Sequence, residues 1–180
     1  MSQLAVISII VGCLVLAWHL LLVARPQTAG SWIRAFPRSV WPGRVLAAVD
    51  MAWVAVLFVS SNFKWVEGRE PLLVLFAAAA LVLIVLFMDD LLSARALGGL
   101  FLLAPAPVLN AAFVHPSSAR LVMTVFAYIL TVLGIVWVWS PFMLRKMTQG
   151  WISRPGLVRL AGAAGCAMGI GFIVLGLFVY

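Results

Sequence analysis

Residues 88 to 113 read "MDDLLSARALGGLFLLAPAPVLNAAF". Two adjacent acids, an arginine, two glycines and two prolines interrupt what is otherwise hydrocarbon. Whether 96 to 114 crosses a membrane decides the topology of the whole chain. Five other runs, 4 to 23, 45 to 62, 71 to 88, 121 to 140 and 160 to 180, are apolar over lengths near the roughly 20 residues that cross about 30 Å of hydrocarbon. Charge arbitrates on the sixth, because cytoplasmic loops are enriched in Lys and Arg. With six spans, one side receives Arg25, Arg34, Arg38, Arg44, Arg95, Arg145, Lys146, Arg154 and Arg159, and the other only Lys64, Arg69 and Arg120. A re-entrant segment at 96 to 114 would separate the two richest basic clusters. Six spans with both termini outside are therefore expected.

Composition agrees with that reading. Of the 180 residues, 66% are hydrophobic and 9% charged, and the mean hydropathy is +1.19, which fits an all-α, polytopic transmembrane bundle forming a single domain. The net charge of +7 falls in short clusters between apolar runs. It is read as a topology signal facing anionic headgroups, and no nucleic-acid partner is expected. Cys13 and Cys166 lie inside apolar runs without CxxC spacing, so neither a disulfide framework nor a zinc site is expected. The run from Leu4 follows "MSQ", which lacks a basic n-region, and is read as a retained span.

Within the fourth span, Pro105 and Pro107 leave the carbonyls near Phe101 and Leu103 without their usual donors. The spacing predicts a kinked or broken helix there, with Asn110 beyond it toward the outer half. The turn before this span is expected at Asp89 to Arg95. The loops 24 to 44 and 141 to 159 mix Trp and Phe with Arg, as suits segments lying in the headgroup layer. Both carry Pro-Gly followed closely by Arg and an Ala-rich run, so spans one and two have the chemistry of a repeat with five and six.

Several residues are candidates for function. His19 and Asp50, placed about four and five residues inside spans one and two, share a depth of about 6 to 8 Å at 1.5 Å per residue. They can pair, and with Asp89, Asp90 and Arg95 they make a polar cluster at the cytoplasmic side. The plain alternative is interfacial anchoring and a pinned turn. On span five, Thr124, Tyr128 and Thr131 recur at helical spacing, and hydrogen bonding between helices accounts for them. On span six, Ala161, Gly165 and Gly169 form a small-residue face that admits a second backbone, from this chain or from another subunit.

No metal-ligand cluster, phosphate loop or nucleophile motif occurs. Bis-histidine haem fails because His19 and His115 belong near opposite faces. No cofactor is predicted, although His19 leaves a single-His pigment or haem site open.

From Pro141 onward, the pattern of Pro141, Arg145, Pro155, Arg159, Gly162 and Gly169 resembles the YjeT-like two-helix bacterial inner-membrane proteins. The whole chain resembles small six-span bacterial membrane proteins. These resemblances imply a multi-pass protein of the bacterial inner membrane and bring no catalytic residues with them. The function expected is that of a non-enzymatic accessory, assembly or scaffold subunit bound to other membrane proteins. A small transporter or channel using the cytoplasmic polar cluster is the alternative.

Overall fold

The computed structural model describes residues 1–60, 68–88 and 91–180. Among them no strand occurs. With no water in the bilayer core to satisfy peptide groups, helices that close their own hydrogen bonds are the expected solution for a chain this apolar. Six helical stretches are long and apolar enough to span: α1 (Gln3–Ala24), α3 (Val40–Val59), α4 (Glu70–Phe87), the stretch Leu92–Val114, α7 (Arg120–Trp139) and α9 (Pro155–Phe178). The chain is a polytopic helical membrane protein.

The stretch that opens the question of topology is a span with a break. It consists of α5 (Leu92–Leu103) and α6 (Pro105–Val114), interrupted at Ala104. Pro105 and Pro107 have no N–H to donate back to Phe101 and Leu103, so the ladder fails where the prolines predict.

The expected loops differ from the structure. Residues 24 to 44 contain the helix α2 (Pro26–Ala35) and a short 3-10 turn at Phe36–Arg38, and residues 141 to 159 contain α8 (Phe142–Ile152). Pro26, Ala29, Gly30 and Ile33, spaced i, i+3, i+4, i+7, give α2 an inward stripe. Ala29 packs with Leu22, Val158, Ile33 and Trp151. The order long, short, long thus occurs as α1–α2–α3 and again as α7–α8–α9.

Three helix starts also move, α9 among them, which begins at Pro155 and not at Leu160. α3 begins at Val40, not Val45, because Pro42 sits in the first turn, where a missing N–H costs nothing. α5 begins at Leu92, not Ala96, so Arg95 lies within the helix and not in the turn. Leu91, just before this helix, has φ 56°.

The described residues pack as two units. The first comprises Met1–Ala35, Ala104–Val132 and Arg145–Tyr180. Its centre is an antiparallel pair, α1 with α9, joined through glycine. A Cβ on Gly12 would lie 2.8 Å from the Gly169 carbonyl oxygen, and one on Gly176 would lie 2.8 Å from that of Ala5. Close backbone approach replaces the hydrophobic drive that lipid cannot supply. Ser8, fully buried, donates to the Phe172 carbonyl at 2.7 Å and lies 3.6 Å from the Met123 sulfur, and Leu4, Val108, Ala111, Met123 and Phe172 fill the space around it.

The second unit comprises Phe36–Leu103 and Leu133–Leu144. Here α5 is gripped on two sides. Gly98 meets Gly134 of α7, where a Cβ would lie 3.0 Å from the Gly134 oxygen, and Gly99 meets Asp50 of α3. Leu97 and Phe101 pack with Trp137, the two rings 5.0 Å apart. Contacts rise in register along α3 and α5, Gly43 to Ser93 and Asp50 to Gly99, so these two run parallel, as spans separated by one other span must.

Candidate functional site

Moving the start of α3 to Val40 changes what Asp50 is. It lies ten residues from Val40 and nine from Val59, about 14 to 15 Å from either end at 1.5 Å per residue. Asp50 therefore sits near the middle of α3 and not in its first turns. Asp50 is only 7% exposed.

The cradle around this carboxyl is made by glycine. A Cβ on Gly99 would fall 2.5 Å from Asp50 Oδ2, so the acid occupies the volume that any larger residue at 99 would need. Asp50 Oδ1 is buried with no hydrogen-bond partner among the described residues. The buried hydroxyl of Ser93, on the same α5, donates to the Ser39 carbonyl. Arg95 lies one turn before Gly99 on the same helical face, and its Nε is also buried without an acceptor, as is Trp137 Nε1. Polar atoms buried without protein partners are uncommon and mark places where water, an ion or a proton is accommodated.

Asp89 and Asp90 lie outside the described residues. His19 belongs to the first unit and Asp50 to the second. The His19 ring is committed locally: its Nδ1 is 2.8 Å from the Val15 carbonyl oxygen, and the edge bearing Cδ2 and Nε2 rests over Gly165. The nitrogen that a haem iron would need is therefore turned toward α9.

The small-residue face of span six is occupied. Gly162 meets Leu22 and Val23, Gly165 meets His19, and Gly169 meets Gly12 and Leu16. Ala161 is half-buried beside them. The part of this face formed by Gly165 and Gly169 is covered by α1 of the same chain, so it is not free to receive another subunit. The polar face of span five also turns inward on itself. Thr124 and Thr131 donate to the Arg120 and Ala127 carbonyls, each at 3.0 Å, which are bonds within one helix and not between helices. Tyr128 and Asn110 are exposed, Pro105 is buried and Pro107 exposed.

A polar assembly that the sequence did not reveal closes the other end of the first unit. Arg120 Nη1 donates to the Phe113 and His115 carbonyls at 3.0 and 2.9 Å, serving acceptors left open at the end of α6. The Ser117 N–H donates to His115 Nδ1 at 3.2 Å, which makes the neutral Nε2–H tautomer the one that donates to the Tyr180 backbone oxygen at 3.3 Å. The Tyr180 hydroxyl donates to the Ala119 carbonyl at 2.6 Å. Arg, His and Tyr scattered over 65 positions carry no local motif, so only the fold unites them.

Among the described residues no group of three or more His, Cys, Asp or Glu could hold a metal ion. No protein-family model, curated protein or solved structure matches the chain.

Proposed function

We propose that this chain is a small proton-coupled transporter of a bacterial inner membrane, with Asp50 as the group that takes up and releases the proton. The observation that carries this reading is a carboxyl near the middle of an apolar helix, buried, cradled on Gly99 and with Oδ1 unpartnered. An ionised carboxylate in such a place is costly unless paired, and intramembrane acids are by default functional. A hard metal cation needs several oxygen ligands, whereas a proton needs one. The bond formed is O–H on the carboxyl, with the proton drawn from one aqueous phase and returned to the other. The bacterial inner membrane is supported by the basic loops and by the likeness of residues 141 to 180 to YjeT-like proteins.

The test is reconstitution of wild type, Asp50→Asn and Asp50→Glu into liposomes under an imposed pH gradient, with a trapped dye reporting internal pH in the presence of sugars, amino acids, organic anions or alkali cations. Solute-dependent proton movement in wild type, its loss in Asp50→Asn and its partial retention in Asp50→Glu are expected. No proton movement with any of these solutes would sink the reading.

One observation favours a second role, that of an accessory subunit. α4 buries none of its residues, and Leu75, Phe76, Leu83 and Phe87 are among its exposed apolar side chains. Photo-crosslinkers placed at Phe76 and Leu83 are expected to capture a stoichiometric partner in native membranes if that role holds, and only lipid if it does not.

A further inference from the structure

At the corner where α1 gives way to α2, a cavity of about 370 Å³ opens against the start of α9, lined by Arg25, Pro26, Gln27, Thr28, Pro155 and Arg159. All of these belong to the first packing unit. We propose that this cavity binds a phosphate ester, supplied by the headgroup of an anionic phospholipid.

Three independent features point to an anion of this kind. First, charge: the segments 1–35, 104–132 and 145–180 contain Arg25, Arg34, Arg120, Arg145, Lys146, Arg154 and Arg159 but not one Asp or Glu. The unit itself offers no carboxylate to either guanidinium of the cavity. Arginine presents a planar fork suited to phosphate oxygens, and two of them line this cavity. Second, backbone donors: the amides of Gln27 and Thr28 lie in the first turn of the ten-residue α2, where no intrahelical carbonyl can serve them. A helix start is a favourable place for phosphate.

Third, the surroundings fit a lipid better than a free ion. The cavity lies where α1 ends and α9 begins, at the adjoining ends of two helices long and apolar enough to span. Leu20 and Leu21, in the last turns of α1, and Leu160, which follows Arg159 in α9, stand exposed, 56%, 45% and 66% respectively. Acyl chains can lie on these leucines while the phosphate sits between Arg25 and Arg159. Basic pockets between helices at the cytoplasmic side are suited to such headgroups. The volume lies near the lower end of the roughly 300 to 1,000 Å³ typical of ligand pockets, which accommodates a headgroup and leaves the tails outside.

The inference does not depend on the transport reading, and its test is separate. The full chain, delipidated in a neutral detergent, is titrated with short-chain phosphatidylglycerol, short-chain phosphatidylcholine or inorganic phosphate, and bound lipid is followed by native mass spectrometry and by Tm. Saturable binding of phosphatidylglycerol with a rise in Tm is expected. Phosphatidylcholine and inorganic phosphate at the same concentrations are expected to produce neither. The double substitution Arg25→Gln with Arg159→Gln is expected to weaken phosphatidylglycerol about tenfold or more, since bonds to charged groups are the stronger ones. Arg34→Gln, which removes an exposed charge of the same unit from outside the cavity, is expected to change affinity less than twofold. Equal binding of phosphatidylcholine, an unaffected double variant or an equal loss in Arg34→Gln would each overturn the proposal. Stabilisation by inorganic phosphate alone would show a free-anion site in place of a lipid one. Arg159→Lys guards against a folding artefact: the charge remains, the fork is lost and an intermediate affinity is expected.

Discussion

The carboxyl of Asp50 and the missing side chain at Gly99 are two halves of one feature, and their energetics should be inseparable. Adding a methyl group at 99 places carbon 2.5 Å from Oδ2, which overpacks the site at a cost of about 1 to 3 kcal/mol. Gly99→Ala is therefore expected to destabilise the chain in detergent unfolding assays, and Asp50→Ala is expected to absorb much of that cost in the double variant. Strict additivity of the two would show that the contact is not the source. Tyr180 behaves differently, because its phenol lies outside the spans and donates to the Ala119 carbonyl. Burial raises it above its ordinary value of 10.0. With the folded value above the unfolded one, its contribution is full below pH 10 and is lost as pH rises through the folded value. Unfolding measured across pH 8 to 11 should show an alkaline loss of stability in wild type that is smaller in Tyr180→Phe, a variant weaker by about 0.5 to 1.5 kcal/mol at neutral pH. Neither site was legible as such in the sequence. Asp50 was visible as an acid in an apolar run, but its place near the middle of a helix was not, because the hydropathy of Trp41, Pro42, Gly43 and Arg44 hides the first turn of α3.

At the scale of helices, what the sequence shows depends on the solvent each helix meets. α1, α4 and α9 have no amphipathic bias to speak of, so periodicity, which in water marks the buried face, says nothing about which side packs. The spans themselves and the broken fourth one are legible from length and from two prolines; the partners of each face are not. Glycine carries that information instead, and only in three dimensions: Gly165, Gly169 and Gly171 look alike in the sequence, yet a Cβ on Gly169 would lie 2.8 Å from the Leu16 nitrogen, while one on Gly171 meets nothing within 4 Å. Gly169→Ala is expected to cost about 1 to 3 kcal/mol by prying α9 from α1. Gly171→Ala should be neutral or stabilising by up to about 1 kcal/mol, through the lower helix cost of Ala. A matched pair of thermal unfolding curves decides this, and equal destabilisation by both would remove the α1–α9 seam as the cause. The amphipathic α2 and α8 have the opposite history, since their periodicity was present in the sequence but masked by Pro, Gly and Arg that read as loop.

For the molecule as a whole, the six spans constrain which loops share a side, whatever the direction of insertion. An even number of crossings separates α2 from α8, because α3, α4, the broken span Leu92–Val114 and α7 lie between them. An odd number separates either from the 115–119 segment. The broken span is the step on which this parity turns: if α5 and α6 entered and left by the same face, α2 and α8 would fall on opposite sides. Single cysteines at the exposed positions Ser31, Gln149 and Ser118, in a chain whose Cys13 and Cys166 have been replaced by Ala, read this out directly. In intact cells a membrane-impermeant maleimide is expected to label Ser118→Cys alone. Labelling of Ser31→Cys and Gln149→Cys should require opened membranes if the nine-to-three bias in Lys and Arg marks the cytoplasmic side. Labelling all three with reversed sidedness would refute the orientation but leave six crossings intact. Opposite sidedness for Ser31→Cys and Gln149→Cys would refute the crossing itself. Asp50 would keep its place in α3 in either case, but Arg25 and Arg159, which line one cavity, require α1 and α9 to meet the same face of the membrane. The lipid site and the topology thus stand on one parity, and the labelling of Gln149→Cys relative to Ser31→Cys is the measurement that bears on both.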